Sequence, residues 1–472
     1  MIPEGERPPQ CCAKPDLKSL PLNELTQRLS EAGFPAFRAR QVYRWVHVQL
    51  VRDVDEMSNL PKDLKTYLKD RYRLTALKTA AHQISRIDGT QKFLFELPDG
   101  ETIESVYMKY HYGSSVCISS QAGCRMGCRF CASAIGGLAR NLLPGEMLEE
   151  VYAIQRSLLG VPSSPDASAH ADFLLMGDKP SGISPQSSPI PSVRQDNVSA
   201  TADVCPDKAP AGEKAPSERI SHVVIMGTGE PLDNYDNVVQ FIRMLTDADG
   251  LHLSARNITL STCGIVPRIY DLAKEGLPVT LALSLHAVTD EQRRGIMPVA
   301  NRYTIRECID ACQFYAQATG RRVTFEYSLI RGVNDSEEDA ARLAALAESV
   351  GGGDAPGGCG RQDHGGSFVR SCPSNAVKNG KPEGHGRQDH EGNGARAGKA
   401  AHRKTAPAAH INLIPVNPVT ESGYERPDTA AVRAFQTKLE KHGIHVSIRR
   451  ALGRDIDGAC GQLRHRHAGN GE

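Results

Sequence analysis

Val116-Cys-Ile-Ser-Ser-Gln-Ala-Gly-Cys124-Arg-Met-Gly-Cys128-Arg-Phe-Cys131 sets three thiols within one short stretch, directly after an apolar run. Val116–Ser120 reads as a strand and the cysteines as the loop that leaves its end. Downstream, further strands are expected at His222–Gly227, Ile258–Thr262, Val279–His286, Val323–Ile330 and His410–Val416. Helices are expected between them, at Pro144–Leu159, Tyr235–Asp247, Val266–Glu275, Thr304–Ala318 and Glu337–Val350. A last helix, Thr429–His442, precedes a short strand, His445–Arg449. Repeated βα units predict a parallel sheet with right-handed crossovers. Six of them suit an α/β fold, an incomplete (β/α)6 barrel over 116–463, whose chemistry sits at the C-terminal strand ends.

Upstream, 15–80 reads as a small helical accessory unit. Leu20, Leu22, Leu25 and Leu29 mark one amphipathic helix, and Arg40–Val51 a second, with Gly33-Phe34-Pro35 between them. Asp16 to Lys78 holds 12 Lys/Arg against 8 Asp/Glu, a mildly basic surface that fits RNA contact or plain solvation equally. Residues 85–115 read as a β-hairpin linker: Lys92–Leu97, an Asp99-Gly100 turn, then Thr102–Met108. Residues 161–219 (Ser, Pro, Ala, Asp) and 351–408 (Gly with scattered Lys, Arg, His) lack periodicity and are expected as disordered insertions.

The whole chain has 472 residues, 40% of them hydrophobic, with a formal net charge of +1, so net charge points to no partner. No apolar run is long enough for a signal peptide or a membrane span, which predicts a soluble cytoplasmic protein, outside any membrane. Thirteen cysteines without a secretory signal argue for metal binding or catalysis over a disulfide framework.

Three thiols can converge on one soft metal centre and leave a coordination position open. A structural zinc site usually takes four ligands, and no fourth Cys or His stands nearby. An iron–sulfur cubane with three protein thiolates keeps one iron for a substrate. Gly227-Thr-Gly229-Glu230-Pro231-Leu232 ends the second strand; its glycines admit a ligand to the backbone, and Glu230 can accept from an ammonium. Ser261-Thr262-Cys263-Gly264, Ser284-Leu285-His286 and Pro415-Val416-Asn417-Pro418 end three more strands in polar groups. Each alone is an ordinary strand-end turn, and their coincidence at one barrel mouth marks a site. Cys117, in the first strand, and Cys460, in Ala459-Cys460-Gly461-Gln462-Leu463, read from spacing as small buried hydrophobes.

The C-x3-C-x2-C spacing resembles the radical S-adenosylmethionine (SAM) superfamily. The wider set is Phe37-Arg-Ala-Arg-Gln41-Val-Tyr-Arg-Trp45, Cys117-Ile-Ser-Ser-Gln, the three-cysteine loop, Gly-Thr-Gly-Glu-Pro-Leu, Ser-Leu-His, Asn-Leu-Ile-Pro-Val-Asn and Ala-Cys460-Gly-Gln-Leu. As a set it resembles the dual-specificity 23S ribosomal RNA and transfer RNA adenine-C2 methyltransferases, from about Leu20 to Leu463 outside the insertions. The resemblance implies a [4Fe-4S] cluster on Cys124, Cys128 and Cys131, and two SAM per turnover. It implies SAM contacts from Gly229, Glu230, Ser261, Ser284, Leu285, His286 and Asn417. It implies that Cys460 is methylated by one SAM. A radical from the second SAM then activates that methyl for addition to adenine C2, with Cys117 resolving the adduct through a transient disulfide. Glu104 aligns with the family's proton acceptor. The implied partners are 23S rRNA, tRNA and a flavodoxin- or ferredoxin-type electron donor, acting on a monomer. Thr228 stands where the family commonly has Met, and Cys263 departs from a Ser-Thr-Ser-Gly-like motif; neither removes an assigned residue.

Two rivals stand beside this reading. A sister activity would methylate C8 of adenine by the same thiol chemistry. A non-catalytic zinc-binding RNA-interaction protein would leave the strand-end motifs and Cys117/Cys460 without a role.

Overall fold

The computed structural model describes residues 14–161, 219–351, 408–416, 423–450, 452–456, 461 and 463–464. Asn417, Cys460 and nearly all of 161–219 and 351–408 lie outside the described residues, so the expectations placed on them are not addressed by the coordinates.

Ten strands form one open sheet. β1 (Lys78–Ile84), β2 (Gln91–Glu96), β3 (Thr102–Tyr110) and β4 (Gly113–Ile118) run antiparallel in sequence order. From β4 the sheet continues in parallel through β7 (Ile220–Ile225), β8 (Ile258–Thr262), β9 (Thr280–Ser284), β10 (Thr324–Leu329), β11 (His410–Pro415) and β12 (Val446–Ile448). The six strands from β4 to β11 are those of the expected incomplete barrel, and β12 lengthens it by one. The crossovers are α4 (Pro144–Leu158), α5 (Tyr235–Thr246), α6 (Val266–Lys274), α7 (Asp290–Ile296) with α8 (Ile305–Thr319), α9 (Glu337–Val350) and α10 (Thr429–Lys441). A two-stranded ladder, β5 (Gln121–Gly123) with β6 (Leu138–Asn141), sits apart.

The signals that place these elements are local. Thr304 and Glu307 cap the start of α8 reciprocally, and Gly320 ends it in the left-handed region at φ +66. Val223, Ile225, Ile258, Leu260, Leu281, Leu283, Phe325, Leu329, Ile411 and Leu413 are buried against the surrounding helices.

The N-terminal unit contains α1 (Leu22–Glu31), α2 (Ala36–His47) and α3 (Lys62–Arg71). α2 starts four residues before the expected Arg40, because Pro35 takes the extended N-cap conformation and lets the helix begin at once. Neither α3 nor β1 was legible: α3 buries only Leu64 and Leu68, and no residue of β1 is buried. Buried polar groups join the unit to α4. Buried Lys18 donates to Glu149 at 2.5 Å and to the carbonyl of Thr75, and Arg156 pairs with the other oxygen of Glu149. His47 meets the Tyr152 hydroxyl at 2.8 Å. Among the described residues no helix is long and apolar enough to cross a membrane.

Candidate active site

The chain leaving β4 turns through Ser119 and Ser120 into β5 and then into the cysteine loop. The β5–β6 ladder closes that loop: the Cys124 amide donates to the Gly137 carbonyl at 2.8 Å, and the Cys131 amide to the Cys128 carbonyl at 3.1 Å. Gly123, at φ +84, is the hinge, since a Cβ there would overlap the Gly137 carbonyl oxygen. Cys124, Cys128 and Cys131 all line one cavity of about 1430 Å³ inside the barrel, with Cys117.

The three-thiol set fits a cubane. Burial pushes the Cys124 thiol up to about 12, with Cys131 adding to the shift. Cys128 is raised by burial, then by Cys131 and Cys124. Such thiols ionise only when a cation offsets both the lost hydration and their mutual repulsion, as iron does. Among the described residues no three His, Cys, Asp or Glu side chains meet closely enough to hold a single ion. A cluster that takes one thiolate per iron does not require that convergence.

The β7 end lies against this loop. Gly227 and Gly229 press on the β4–β5 turn: a Cβ at Gly227 would stand 2.6 Å from the Ile118 carbonyl oxygen, and one at Gly229 2.7 Å from the Gln121 Cβ. Glu230 is buried and its carboxylate reaches the β8 end. Oε1 accepts from the Thr262 hydroxyl (2.7 Å) and the Leu232 amide, and Oε2 from the Cys263 amide (2.7 Å). Burial raises its pKa. The Thr228 hydroxyl, where the resembled family commonly has a thioether, is buried and without a partner among the described residues.

Ser261 and Ser284 meet hydroxyl to hydroxyl at 3.3 Å across β8 and β9. His286 sits at φ +57 with Nδ1 accepting from the Ser328 amide at 2.9 Å. Burial, with Arg293 adding, lowers its pKa to about 3, so the ring is neutral and its Nε2 carries the proton. Leu285 differs from its neighbours: its side chain is fully buried in the core, its amide donates to the Glu326 carbonyl and its carbonyl accepts from Arg293.

Four residues of this site had no sequence signal. Arg293 is fully buried and donates to the carbonyls of Cys263 (2.6 Å), Leu285 (3.2 Å) and Ser284 (3.3 Å), tying the β8 and β9 ends together. Asn334 joins the carbonyls of His286 and Ser328, both at 2.8 Å. Lys92, fully buried in β2, pairs with Glu104 of β3 at 2.9 Å. Asp88 accepts from the Gly453 amide at 2.9 Å.

Glu104 faces the segment that carries Cys460. Its Oε2 accepts from the Gly461 amide (2.6 Å) and its Oε1 from the Arg464 amide (2.5 Å). Asp455 reaches back to the Ser85 hydroxyl and the Arg86 amide, and Arg464 to Glu101. Gly461 packs so closely on the cysteine loop that a Cβ would stand 2.7 Å from the Ser133 amide nitrogen. Gly461, the immediate neighbour of Cys460, therefore packs against backbone that lies within two residues of Cys131.

The chain is similar in sequence and fold to known proteins. Residues 15–74 match the family model for the ribosomal RNA large subunit methyltransferase N-terminal domain, and residues 211–344 the radical SAM superfamily. A probable dual-specificity RNA methyltransferase RlmN from Lachnoclostridium phytofermentans is 42% identical over 451 residues, covering 96% of this chain and 94% of the relative. Its counterpart from Lachnospira eligens is 40% identical, covering 96% of each. The crystal structure of a radical SAM methyltransferase from Sphaerobacter thermophilus superposes with a TM-score of 0.67 at 33% identity, covering 95% of this chain and 98% of that one.

Proposed function

The chain belongs to the dual-specificity RNA methyltransferases of the radical SAM superfamily, which use a [4Fe-4S] cluster and SAM, and on that premise we propose that it methylates C2 of adenine in 23S rRNA and in tRNA through a methylated cysteine. The observation that carries this reading is the position of Gly461 against Ala132 and Ser133. It brings the backbone beside Cys460 to the loop of Cys124, Cys128 and Cys131.

Adenine C2 is electron-poor, so direct attack on a SAM methyl is closed to it, whereas a thiolate is a competent acceptor. Cys460 takes the methyl of one SAM by displacement, releasing S-adenosylhomocysteine, and carries it as a thioether. When bound, the cluster supplies the electron that cleaves a second SAM reductively and so provides the hydrogen-abstracting radical. The chain's own residues bind and orient. Gly229 and Glu230, Ser261 and Ser284, the His286 Nε2–H, the backbone at Leu285, and Asn417 contact SAM. The buried Leu285 side chain takes no part. Cys117, in the cavity wall, would attack the Cys460 sulfur so that its bond to the transferred carbon breaks; the electron left after radical addition would return to the cluster, and the supplied reductant would reopen the disulfide. Glu104 accepts the C2 proton; because its oxygens hold the Gly461 and Arg464 amides, it does so as that segment lets go.

The test is anaerobic reconstitution with iron and sulfide, reaction with SAM, reductant and RNA, and mass spectrometry of the digested nucleosides. The expected product is 2-methyladenosine, with 5′-deoxyadenosine and two SAM consumed per methyl. 8-Methyladenosine would move the chain to the sister activity. Retained methyl transfer in Cys460→Ala would sink the two-thiol route.

A further inference from the structure

The methyl-transfer chemistry leaves a buried charge unexplained. Arg293, on α7, is fully buried. Among the described residues it has no ion pair, and its hydrogen bonds go to neutral acceptors. These are the carbonyls of Cys263 at 2.6 Å, Leu285 at 3.2 Å, Ser284 at 3.3 Å and Tyr303 at 3.5 Å, and the Cys308 sulfur at 3.8 Å. Glu230 stands on the other side of Cys263 and is taken up by the Thr262 hydroxyl and the Leu232 and Cys263 amides. Carbonyl dipoles solvate a guanidinium but carry no net charge, and a charge inside a fold ordinarily has a counter-charge.

The helix that carries this charge lies against the cysteine loop. The Arg129 amide donates to the Ile296 carbonyl, at the end of α7, at 3.0 Å. Met126, Cys128 and Phe130 pack on an apolar patch that contains Cys263, Ile296 and Met297. Phe130 also stands edge-on to His286 at 4.8 Å. Gly264, at φ +98, makes room for the guanidinium: a Cβ there would be 3.2 Å from its Nη2 and 2.9 Å from the Cys308 sulfur. The field reaches the site. Burial, Cys131 and Cys124 raise the Cys128 thiol, and Arg293 acts against them. Burial lowers the His286 ring, and Arg293 adds to that.

We infer that Arg293 is the counter-cation of the cluster, fixed behind the cysteine loop so that its field favours the reduced state and sets how readily the centre accepts an electron. This rests on the placing of the cluster on Cys124, Cys128 and Cys131. A cubane on three thiolates is an anion, and one-electron reduction deepens its charge. Inside the fold water screens little, so a nearby cation stabilises the reduced form more than the oxidised one and raises the potential. Arginine suits the task because its guanidinium stays charged at any working pH. Its N–H groups are held by backbone carbonyls from two strand ends, so the charge cannot swing away from the loop.

The test is a redox titration of the reconstituted full chain without SAM, with dithionite as the one-electron reductant and the reduced cluster followed by electron paramagnetic resonance. Arg293→Gln removes the charge, but it also removes hydrogen bonds. Cys308 supplies a second pair of variants that leaves Arg293 in place. Cys308→Asp sets an anion beside the guanidinium, and Cys308→Ser sets a neutral group of similar size there. Arg293→Gln and Cys308→Asp should each shift the reduction equilibrium roughly tenfold toward the oxidised cluster, about 59 mV for one electron, with parent-like cluster absorbance. Cys308→Ser should titrate as the parent does. If Arg293→Gln fails to fold, the Cys308 pair decides. Equal midpoints in Cys308→Asp and Cys308→Ser overturn the counter-cation and leave Arg293 a tie between strand ends, with the methyltransferase reading intact. A parent chain that takes up no cluster overturns this inference together with the placing of the cluster.

Discussion

Glu104 shows how one side chain serves position before chemistry. Its carboxylate is buried, paired with an equally buried Lys92, and aimed at two backbone amides that bracket the segment after Cys460. Charge-assisted bonds of this kind are about twice as strong as neutral ones. Glu104→Gln replaces one acceptor by an N–H2 group facing amide donors and leaves the Lys92 ammonium without that counter-charge. We expect faster hydrogen exchange at Gly461 and Arg464 and methyl transfer reduced by more than roughly tenfold, with unchanged iron content. Parent-like exchange at those amides would show that Glu104 does not hold the segment. At the same scale, Gly123→Ala should abolish cluster incorporation, because its Cβ would meet a backbone carbonyl that has no room to move. Iron and sulfide analysis after reconstitution would decide it.

At the scale of elements, the helical unit and the barrel share one apolar core, and buried polar groups join them at α4. Lys18, Glu149 and Arg156 form a buried ion network, and Tyr152 of the same helix holds His47. Burial lowers the Lys18 pKa, and the Glu149 carboxylate opposes that shift. Removing one member of a buried pair strands the other, at about 3–5 kcal/mol. Lys18→Met should therefore lower the unfolding free energy measured in urea by an amount in that range, with no change in the absorbance of the cluster. These partners lie 131 positions apart for Lys18 and Glu149, so no local pattern announces them. The helices α1 and α2 were legible because their apolar stripes repeat at helical spacing. β1 was not, because it has no buried side chain to generate a pattern.

For the whole molecule, the ends of the second insertion are already together. α9 runs to Val350, and the Ala409 amide returns to the Ala347 carbonyl at 2.9 Å. Deleting 355–405 should spare cluster assembly and turnover, since only a short closure is needed. Loss of turnover with fold and cluster intact would show that the segment takes part. Acid stability is also a property of the whole. His47 and His286 both hold a folded pKa of about 3, whereas an unfolded histidine titrates near 6.5. Between those values the unfolded chain binds more protons, so stability falls as pH drops through that window. Buried Glu230 and Glu326, with raised pKa, act in the opposite sense and favour the fold as pH falls through their folded values. Thermal melts from pH 7.5 to 5 should show a declining midpoint, and a shallower decline in His47→Gln. An unchanged slope would mean that His47 is not the group responsible.

The sequence by itself determined the βα order, the three-thiol loop and the polar strand ends, because each is written in consecutive residues: a period, a spacing, a glycine at a turn. It also carried the family, because widely separated motifs had to coincide. Tertiary structure alone decided which distant groups meet. Lys92 and Glu104 pair across β2 and β3, Arg293 gathers carbonyls from two strand ends, and the amide of Gly461 comes to a carboxylate 357 positions away. Such contacts follow from how the sheet closes around its cavity. A buried charge leaves no periodic trace in the chain, since its partner is chosen by packing and by the cost of leaving it unpaired in a medium of low dielectric constant.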